Sequence, residues 1–336
     1  MWFEKLTGFH EESPEQVHDN MSIDGKLLKS HTNGMQYIYG SLEVPSLKDL
    51  RKQVKSSNAL NGKLKLSAIR ADVRDLHLDS NNSNALFQVA SQFNLLEMIS
   101  PNISPEHGIE CYEYDHTQGP ICAMLAGAGT IYRNYFVDID GQIGQSSEKQ
   151  IDCLFDIGCI LGNIDNCLWE MRNGYALLTK QGLCDINHKL ESMSESDIDT
   201  LRETLRIGIQ WNTQVTENKS IHKVTQAYCS ALPVAYVGHS SKLWKPFASL
   251  ILEACYEATI CAGILNSIKN GNNTIYLTLV GGGVFGNQLE WITGAIERAV
   301  KLYSDYELNI VIINYESIPN EVSRLVKLDL MENIRV

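Results

Sequence analysis

Positive charge is scarce in this sequence of 336 residues. Lysine and arginine together number 28, against 40 aspartate and glutamate residues, which gives a formal net charge of -12. A protein that binds nucleic acid needs a basic face toward the phosphates, so we expect no nucleic-acid partner. The acidic balance still allows a small anion that backbone N–H groups hold without side-chain charge.

Paired cysteines are also missing. The nine cysteines form no Cys-x-x-Cys pair and no spacing typical of a zinc site. Their odd number, and a start at Met1 without the apolar core of a signal peptide, predict a reducing, cytoplasmic setting. We also expect no apolar run long enough to span a bilayer, and hence no membrane partner. The sequence contains no internal repeat.

The composition is that of a globular protein, with 44% hydrophobic and 20% charged residues, and the length allows one large or two ordinary domains. The apolar pattern predicts strands and helices that alternate along much of the chain. The predicted strands span residues 35–40, 64–70, 85–93, 206–211, 223–230, 275–280 and 308–313. The predicted helices span residues 47–54, 121–132, 151–161, 168–178, 191–204 and 242–269.

A glycine cluster lies near the C-terminus. The apolar run 275–280 leads into residues 281–287, Gly-Gly-Gly-Val-Phe-Gly-Asn, then a helical pattern and the second apolar run at 308–313. This order indicates a βαβ unit in a parallel sheet. Glycines before a helix let the backbone approach an anion, which free N–H groups and the helix dipole favour. The alternative is a tight turn without a ligand. Asn287 and Glu290 are expected as N-cap and N3 residues of the helix.

Two earlier predicted strands each end in a polar side chain. Asp72 follows the strand at 64–70, and Asn94 follows the strand at 85–93. Ligands of open α/β sheets bind at the edge where the strands end, so both residues are candidate ligand contacts. Taken alone, each is more often a turn residue without a ligand.

A third polar cluster precedes the helix predicted at 121–132, which is rich in small residues. Asp115, His116 and Gln118 come just before Pro120, and proline loses no hydrogen bond in a first helical turn. An Asp–His pair suggests acid–base chemistry. An ordinary polar cap of the helix is the equal alternative.

Together these segments resemble the macrodomain family, which binds ADP-ribose in a three-layer α/β/α fold. Residues 71–76, Ala-Asp-Val-Arg-Asp-Leu, resemble the family's Gly-Asp-Ile-Thr segment, whose aspartate binds adenine. Residues 85–94 resemble the next strand, which ends in an asparagine that holds the distal ribose. Residues 118–120 are similar to the end of the first phosphate loop, with one glycine where the family usually has two or three. Residues 281–287 are similar to the second phosphate loop.

The resemblance covers residues 64–132 and 222–316 and implies an α/β protein with a mixed sheet between two helical layers. Residues 1–63 would form an N-terminal extension packed on the core. Residues 64–330 would form the macrodomain-like domain, with a mainly helical insertion at about 133–221. Larger relatives such as poly(ADP-ribose) glycohydrolases carry insertions of this kind. Their Gly-Gly-Gly…Gln-Glu-Glu signature is absent here, so its catalytic glutamate cannot be carried over.

The resemblance also implies a function, which is to bind ADP-ribose and hydrolyse its bond to a modified protein, without a metal or cofactor. The implied ligand contacts are Asp72, Val73 and either Asn314 or Tyr315 at adenine, Asn94 at the distal ribose, and Gly119, Gly281, Gly282, Gly283, Val284, Phe285, Gly286 and Asn287 at the diphosphate. The catalytic candidates, by position beside the first phosphate loop, are Asp115 and then Gln118, Asp138, Asp140 and Gln142.

Two alternatives remain at this point. The protein could be a reader that binds ADP-ribose or a related nucleotide without turnover. It could also be a scaffold whose glycine loop is only structural. In that case Trp2, Trp169 and Trp211 are candidates for a partner interface.

Overall fold

The computed structural model describes residues 1–59 and 61–332, and its centre is a seven-stranded mixed sheet. The strands are β1 (Met21–Asp24), β2 (Leu27–Ser30), β3 (Gln36–Ile38), β4 (Ser41–Glu43), β5 (Lys65–Arg70), β6 (Leu86–Ala90), β7 (Asp138–Ile139), β8 (Gln142–Ile143), β9 (Trp169–Arg172), β10 (Tyr175–Leu178), β11 (Gly208–Gln214), β12 (Lys223–Cys229), β13 (Thr274–Leu277) and β14 (Asn309–Asn314). The helices are α1 (Trp2–Thr7), α2 (Pro14–Asn20), α3 (Leu47–Ser56), α4 (Val73–Leu78), α5 (Gln118–Leu125), α6 (Gly127–Ile131), α7 (Phe155–Leu161), α8 (Lys180–Ser192), α9 (Glu195–Arg202), α10 (Ser241–Asn270), α11 (Leu289–Leu302) and α12 (Asn320–Glu332).

The main sheet has the strand order β4-β11-β12-β6-β13-β14-β5. The last five strands of this order run parallel, while β11 pairs antiparallel with both β4 and β12. Helices cover both faces of the parallel part, so neighbouring residues such as Ile310 and Val311 in β14 are both buried. The βαβ unit predicted at the C-terminus is present as β13, α11 and β14.

Adjacent residues of β6 identify the two helical layers. The ring of Phe87 packs against His77 of α4 with ring centroids 3.8 Å apart. The next residue, Gln88, donates a hydrogen bond to Thr259 of α10 at 2.9 Å. Because successive strand residues point to opposite faces, α4 and α10 lie on opposite sides of the sheet. This arrangement confirms the predicted three-layer α/β fold class.

The 30-residue helix α10 forms the centre of one layer. It ends at Gly271, whose φ of 73° is the left-handed conformation common after helices. A Cβ atom at Gly263 would lie 2.1 Å from Cδ1 of Ile275, so glycine allows the helix to approach β13. By length and mean hydropathy α10 could cross a membrane, which corrects our expectation that no run is long enough, but 89% of its apolar window is buried inside the protein.

The segment 168–178, predicted as a helix, is a β-hairpin made of β9 and β10. Its turn consists of Asn173 and Gly174, whose φ angles are 45° and 79°. An Asn-Gly dipeptide favours these positive angles in two-residue hairpin turns. The apolar residues also fit a helical period, but the Asn-Gly dipeptide favours a tight turn, and the flanking residues form two paired strands.

Other predicted helices are shorter than expected. The helix predicted at 121–132 breaks at Ala126, where φ is -111° and ψ is 48°, and it resumes as α6. A Cβ atom at Gly127 would lie 2.7 Å from the ring of Trp2, so glycine lets the N-terminal segment pack here. The helix predicted at 191–204 is divided, because Ser194 caps the start of α9.

The predicted domain limits cut through the main sheet. The segment 1–63 supplies β4, and the segment 133–221 supplies β11, so both segments take part in the central sheet. The second segment is also less helical than predicted, because it contains two hairpins. A separate hydrophobic cluster, which includes Phe3 and Ile131, joins the N-terminal residues to the region before the insertion. The division at residue 64 stays a prediction.

Candidate functional site

A cavity of about 520 Å³ opens where β6, β12 and β13 end. Ligands of open α/β sheets bind at this edge, and the volume is usual for small-molecule sites. Segments after the three strands form the walls, together with the loop before α5 and the hairpin β9–β10. The lining residues are Ala90, Ser91, Gln92, Glu97, Met98, Ile99, residues 114–120, Tyr175, Ala231, Tyr236, residues 278–281 and residues 283–285.

Gln118 takes the place of a neighbouring strand at the end of β6. β13 pairs with β6 only at Leu86 and Phe87, so the next backbone groups on that side need other partners. Oε1 of Gln118 accepts the N–H of Ala90 at 3.0 Å, and Nε2 donates to the carbonyl oxygen of Gln88 at 2.9 Å. With both amide atoms engaged, Gln118 anchors the loop before α5, and its catalytic role stays a prediction.

The glycine loop 281–287 closes on itself. Gly281 and Gly286 have positive φ angles of 74° and 72°. The N–H of Gly282 donates to the carbonyl oxygen of Leu279 just before the loop, the N–H of Gly286 donates to that of Gly283, and neither Gly282 nor Gly286 lines the cavity. The N–H groups of residues 283–285 have no partner in the described part of the chain, and these residues line the cavity. The donors available to an anion therefore lie at 283–285 rather than at Gly282 and Gly286.

Asn287 stabilises this loop from inside the protein. Its Nδ2 donates to the carbonyl oxygens of Leu232 at 2.8 Å and Gly281 at 3.3 Å, and the residue is 4% exposed. The N-cap of α11 is Gln288, without a hydrogen bond from its side chain. The predicted N-cap role of Asn287 is therefore wrong, Glu290 is at N2, and Asn287 lies outside the cavity lining.

A buried carboxyl group lies in the cavity wall. Glu97, in an irregular segment after β6, is 5% exposed, and its Oε1 has no hydrogen-bond partner among the described residues. A Cβ atom at Gly119 would lie 2.4 Å from Oε2 of Glu97 and 2.1 Å from the carbonyl oxygen of Ala90. Glycine at this position therefore lets the first turn of α5 lie directly against the carboxyl group.

The surroundings of Glu97 favour its neutral form. Burial raises the pKa of Glu97 well above its usual range, Arg133 acts in the opposite direction, and Asp115 adds to the rise. Arg133 is fully buried with its guanidinium 3.6 Å from the ring centroid of Tyr228, and its Nη1 also lacks a hydrogen-bond partner in the described structure. Glu97 thus holds its proton to higher pH than an exposed glutamate, as a general acid requires.

Asp115 lies on the same wall, half-buried. Its Oδ1 accepts the N–H of Thr117 at 2.8 Å, which fixes the turn before α5. His116 is exposed and also lines the cavity, but no hydrogen bond joins it to Asp115 in the described structure. Two carboxyl groups in unlike environments, such as Glu97 and Asp115, can divide the roles of acid and base.

Three aromatic rings form another part of the wall. The ring centroid of Tyr175 lies 5.2 Å from the ring centroid of Tyr236 and 5.4 Å from that of Phe285. The centroids of Tyr236 and Phe285 lie 5.6 Å apart. The hydroxyl of Tyr175 donates to the carbonyl oxygen of Met98 at 2.6 Å. The hairpin β9–β10 is therefore tied to the segment that carries Glu97.

The predicted adenine contacts share no lining residue with this cavity. Asp72 and Tyr315 line a shallow depression of their own, so the structure brings these two residues together. Oδ1 of Asp72 accepts the N–H of Arg74 at 2.8 Å as the N-cap of α4, and Tyr315 is 72% exposed. Val73 and Asn314 are buried and do not line the depression. The adenine role of Asp72 and Tyr315 stays a prediction.

Other predicted site residues lie away from the cavity. Asn94 is fully buried, and its Nδ2 donates to Oε1 of Gln150 at 2.8 Å. Asp138 and Asp140 lie on the hairpin β7–β8, where Asp140 has a 93% exposed side chain. Gln142, on the same hairpin, donates to two carbonyl groups of its own segment. The cavity lining therefore does not include Asn94, Asp138, Asp140 or Gln142, and their roles at a ligand stay predictions.

Glu97 and Tyr175 are site residues that the sequence patterns did not reveal to us. Glu97 is the single charge in the run Leu-Leu-Glu-Met-Ile at 95–99. Since charged side chains are rarely buried without a role, a lone acid in an apolar run is a usable signal. Tyr175 directly follows the Asn-Gly turn, so it is found only when 168–178 is recognised as a hairpin.

Comparison with family models and with curated proteins finds no match. Among solved structures, the chain is similar to the poly(ADP-ribose) glycohydrolase of Thermomonospora curvata bound to the inhibitor ADP-HPD, with a TM-score of 0.45 and 9% identity over 95% of this chain and 95% of that chain. It is also similar to the poly(ADP-ribose) glycohydrolase of Deinococcus radiodurans in complex with ADP-ribose, with a TM-score of 0.46 and 10% identity over 87% of this chain and 95% of that chain. At these values, we base the function on the chain's own residues.

Proposed function

We propose that this protein binds ADP-ribose in the cavity and hydrolyses the bond that joins ADP-ribose to a modified protein. One observation carries the proposal. A single cavity places the buried carboxyl of Glu97 beside two backbone segments suited to phosphate, the start of α5 and residues 283–285. The resemblance of these two segments to the phosphate loops of macrodomains supports the choice of ligand.

Backbone N–H groups would hold the diphosphate. No lysine or arginine is among the cavity-lining residues that the structure describes, so side-chain cations are not available there. The free N–H groups of Gly119 and residues 283–285, with the positive ends of the helix dipoles of α5 and α11, can replace them. The separate depression of Asp72 and Tyr315, where β5 and β14 end, supports a position for adenine.

The hydrolytic step needs an acid and a base on either side of the anomeric carbon. A water molecule attacks this carbon, and its oxygen forms the new bond while the bond to the acceptor breaks. Glu97 donates its proton to the departing atom, and the carboxylate of Asp115 accepts a proton from the attacking water. The burial of Glu97 and the partial exposure of Asp115 support this division of roles.

The test has two stages. Calorimetry with ADP-ribose on the purified protein is expected to give micromolar binding. Incubation with ADP-ribosylated proteins of several linkages should then release free ADP-ribose, and Glu97→Gln should release it far more slowly while it still binds ADP-ribose. No binding by the unaltered protein would overturn the proposal as a whole. Binding without release from any linkage would overturn the hydrolytic part.

A further inference from the structure

The charge of the cavity wall is suited to a cation. Its charged or ionisable lining side chains, apart from tyrosine, are Glu97, Asp115 and His116. Acidic side chains alone do not define a site, but Glu97 provides an independent observation. It is 5% exposed, lines the cavity, and keeps Oε1 without a hydrogen-bond partner among the described residues. A buried oxygen of this kind is unfavourable unless a ligand group pairs with it.

The aromatic rings lie within the field of both carboxyl groups. Glu97 and Asp115 both contribute to the raised pKa of Tyr175, after burial and Tyr236. Tyr175 donates a hydrogen bond to the carbonyl oxygen of Met98, the residue after Glu97, and Tyr236 and Phe285 pack against Tyr175, so the rings lie next to the segment that carries this acid. Ring faces attract flat, delocalised cations, and here Asp115 adds an acidic group while the unpartnered Oε1 of Glu97 can accept a hydrogen bond from the cation.

The leaving group provides a second reason. An acceptor joined through an ester oxygen departs with negative charge until Glu97 has given it a proton, and no lysine or arginine lines the described cavity to stabilise that charge. A cationic acceptor joined through nitrogen departs as a neutral molecule. Asp115 repels negative charge that develops on a departing oxygen, whereas it does not repel the neutral nitrogen product.

We propose that the group released from ADP-ribose is a planar cation joined through nitrogen to the anomeric carbon. Two sources share this chemistry, the guanidinium of an ADP-ribosylated arginine side chain and the nicotinamide ring of NAD⁺. The inference rests on the proposed ADP-ribose site and names the class of bond that is cleaved there.

The step balances for both sources. The water oxygen bonds to the anomeric carbon, and the electron pair of the carbon–nitrogen bond leaves with the nitrogen. Nicotinamide departs neutral, and one proton of the water passes through Asp115 to solvent. Guanidine departs neutral, takes a proton from Glu97 and becomes guanidinium again. Asp115 takes a proton from the attacking water, and this proton returns to Glu97 through solvent.

The experiment compares four substrates on the full chain at equal concentration, with release of ADP-ribose as the readout. They are an arginine-ADP-ribosylated peptide, NAD⁺, a serine-ADP-ribosylated peptide and a glutamate-ADP-ribosylated peptide. We expect at least tenfold higher kcat/KM for one of the first two than for either of the last two, and the faster of the first two identifies the source. Equal or faster release from serine or glutamate, or no release from any of the four, would overturn the inference. The ADP-ribose site itself is judged separately, by calorimetry with free ADP-ribose.

A second arm tests the aromatic wall. Tyr236→Leu removes a ring face, and Tyr236→Phe keeps it. The leucine variant should lower kcat/KM for the preferred cationic substrate by about threefold to fivefold, the size expected for one cation–π contact. The phenylalanine variant should restore it, and the loss of kcat/KM in the leucine variant should exceed any loss of its affinity for free ADP-ribose, measured by calorimetry. Leucine and phenylalanine variants with the same kcat/KM would count against the inference.

Discussion

The carboxyl group of Glu97 lies so close to Gly119 that a Cβ atom there would be 2.4 Å from Oε2. The glycine that begins α5 is therefore needed for the position of the carboxyl group as well as for the approach of an anion. Any side chain at residue 119 would displace either the carboxyl group of Glu97 or the carbonyl group of Ala90, the last residue of β6.

Glu97→Gln is the first prediction. It keeps the shape of the side chain and removes the proton donor, so we expect kcat to fall by roughly 10²- to 10⁴-fold while ADP-ribose affinity changes little. The pH profile gives a second readout. The unaltered protein should lose activity as pH rises through the raised pKa of Glu97, and the variant should not show this decline.

Unfolding measurements provide the control for Glu97→Gln. Because the folded pKa of Glu97 is raised, its contribution to stability is complete below the unfolded pKa and is lost as pH rises. At pH 8 the glutamine variant should therefore be at least as stable as the unaltered protein. A variant that is clearly less stable and inactive would show that the residue acts through the fold.

Gly283→Glu should abolish ADP-ribose binding. A Cβ atom at Gly283 has no heavy atom within 4 Å and the residue lines the cavity, so the substitution adds a carboxylate at the cavity lining without a clash in the fold. Its charge and bulk oppose a phosphate group, and we expect at least a 100-fold weaker Kd by calorimetry. Gly294→Glu on α11 is the matched control, since a Cβ atom there also has open space, and its Kd should not change. Equal affinities of the two variants would contradict a phosphate site at 283–285.

Gln118→Ala should destabilise the protein. It leaves the N–H of Ala90 and the carbonyl oxygen of Gln88 without the partners that Gln118 provides. Loss of such partners costs roughly 1–3 kcal/mol, measured as a lower midpoint of chemical unfolding. Gln181→Ala is the control, because Gln181 makes an exposed bond to Asp185 within its own helix, and its effect should stay within about 0.5 kcal/mol. An equal effect of both variants would show that Gln118 does not support β6.

Glu11 should make the stability depend on pH. Burial raises the pKa of Glu11 from 4.5 to about 7, against hydrogen bonds from Tyr135, Glu110 and Ile109. The folded state therefore binds more protons than the unfolded state between these pH values, so the free energy of unfolding from this residue falls as pH rises. We expect a slope of up to about 1 kcal/mol per pH unit. Glu11→Gln should have a flatter stability profile from pH 4.5 to pH 7, and an unchanged profile would contradict this prediction.

Sequence patterns predict those parts of the fold in which local signals agree. The run at 275–280, the glycines after it and the helix that follows all point to one βαβ unit, and β13, α11 and β14 form it. The hairpin at 168–178 was predicted wrongly because apolar spacing and turn chemistry disagree there, and the turn decides. Long-range pairing is also hidden, so nothing in the short segment Ser41–Glu43 predicts that it adds an edge strand beside β11.

In the candidate site, too, local sequence patterns do not reveal contacts between distant parts of the chain. Asp115 and Gly119 could be placed at the cavity because they adjoin a recognisable helix start. Asn94 could not be excluded, because the pattern does not reveal that β6 ends at Ala90 and that the following turn buries the side chain of Asn94. Glu97 has no regular element around it, so only the folded chain reveals that its carboxyl group meets Gly119.

The position of β5 at the sheet edge has a consequence for biosynthesis. Within the described sheet its pairing partner is β14, beginning with Lys65 opposite Asn309. A ribosome releases β5 long before β14, so β5 waits as an unpaired edge while the segments between the two strands are made. Nascent chains interrupted before Asn309 therefore present an exposed strand, a natural target for chaperones and proteases, and the turn that carries Asp72 becomes ordered only after β14 has been made.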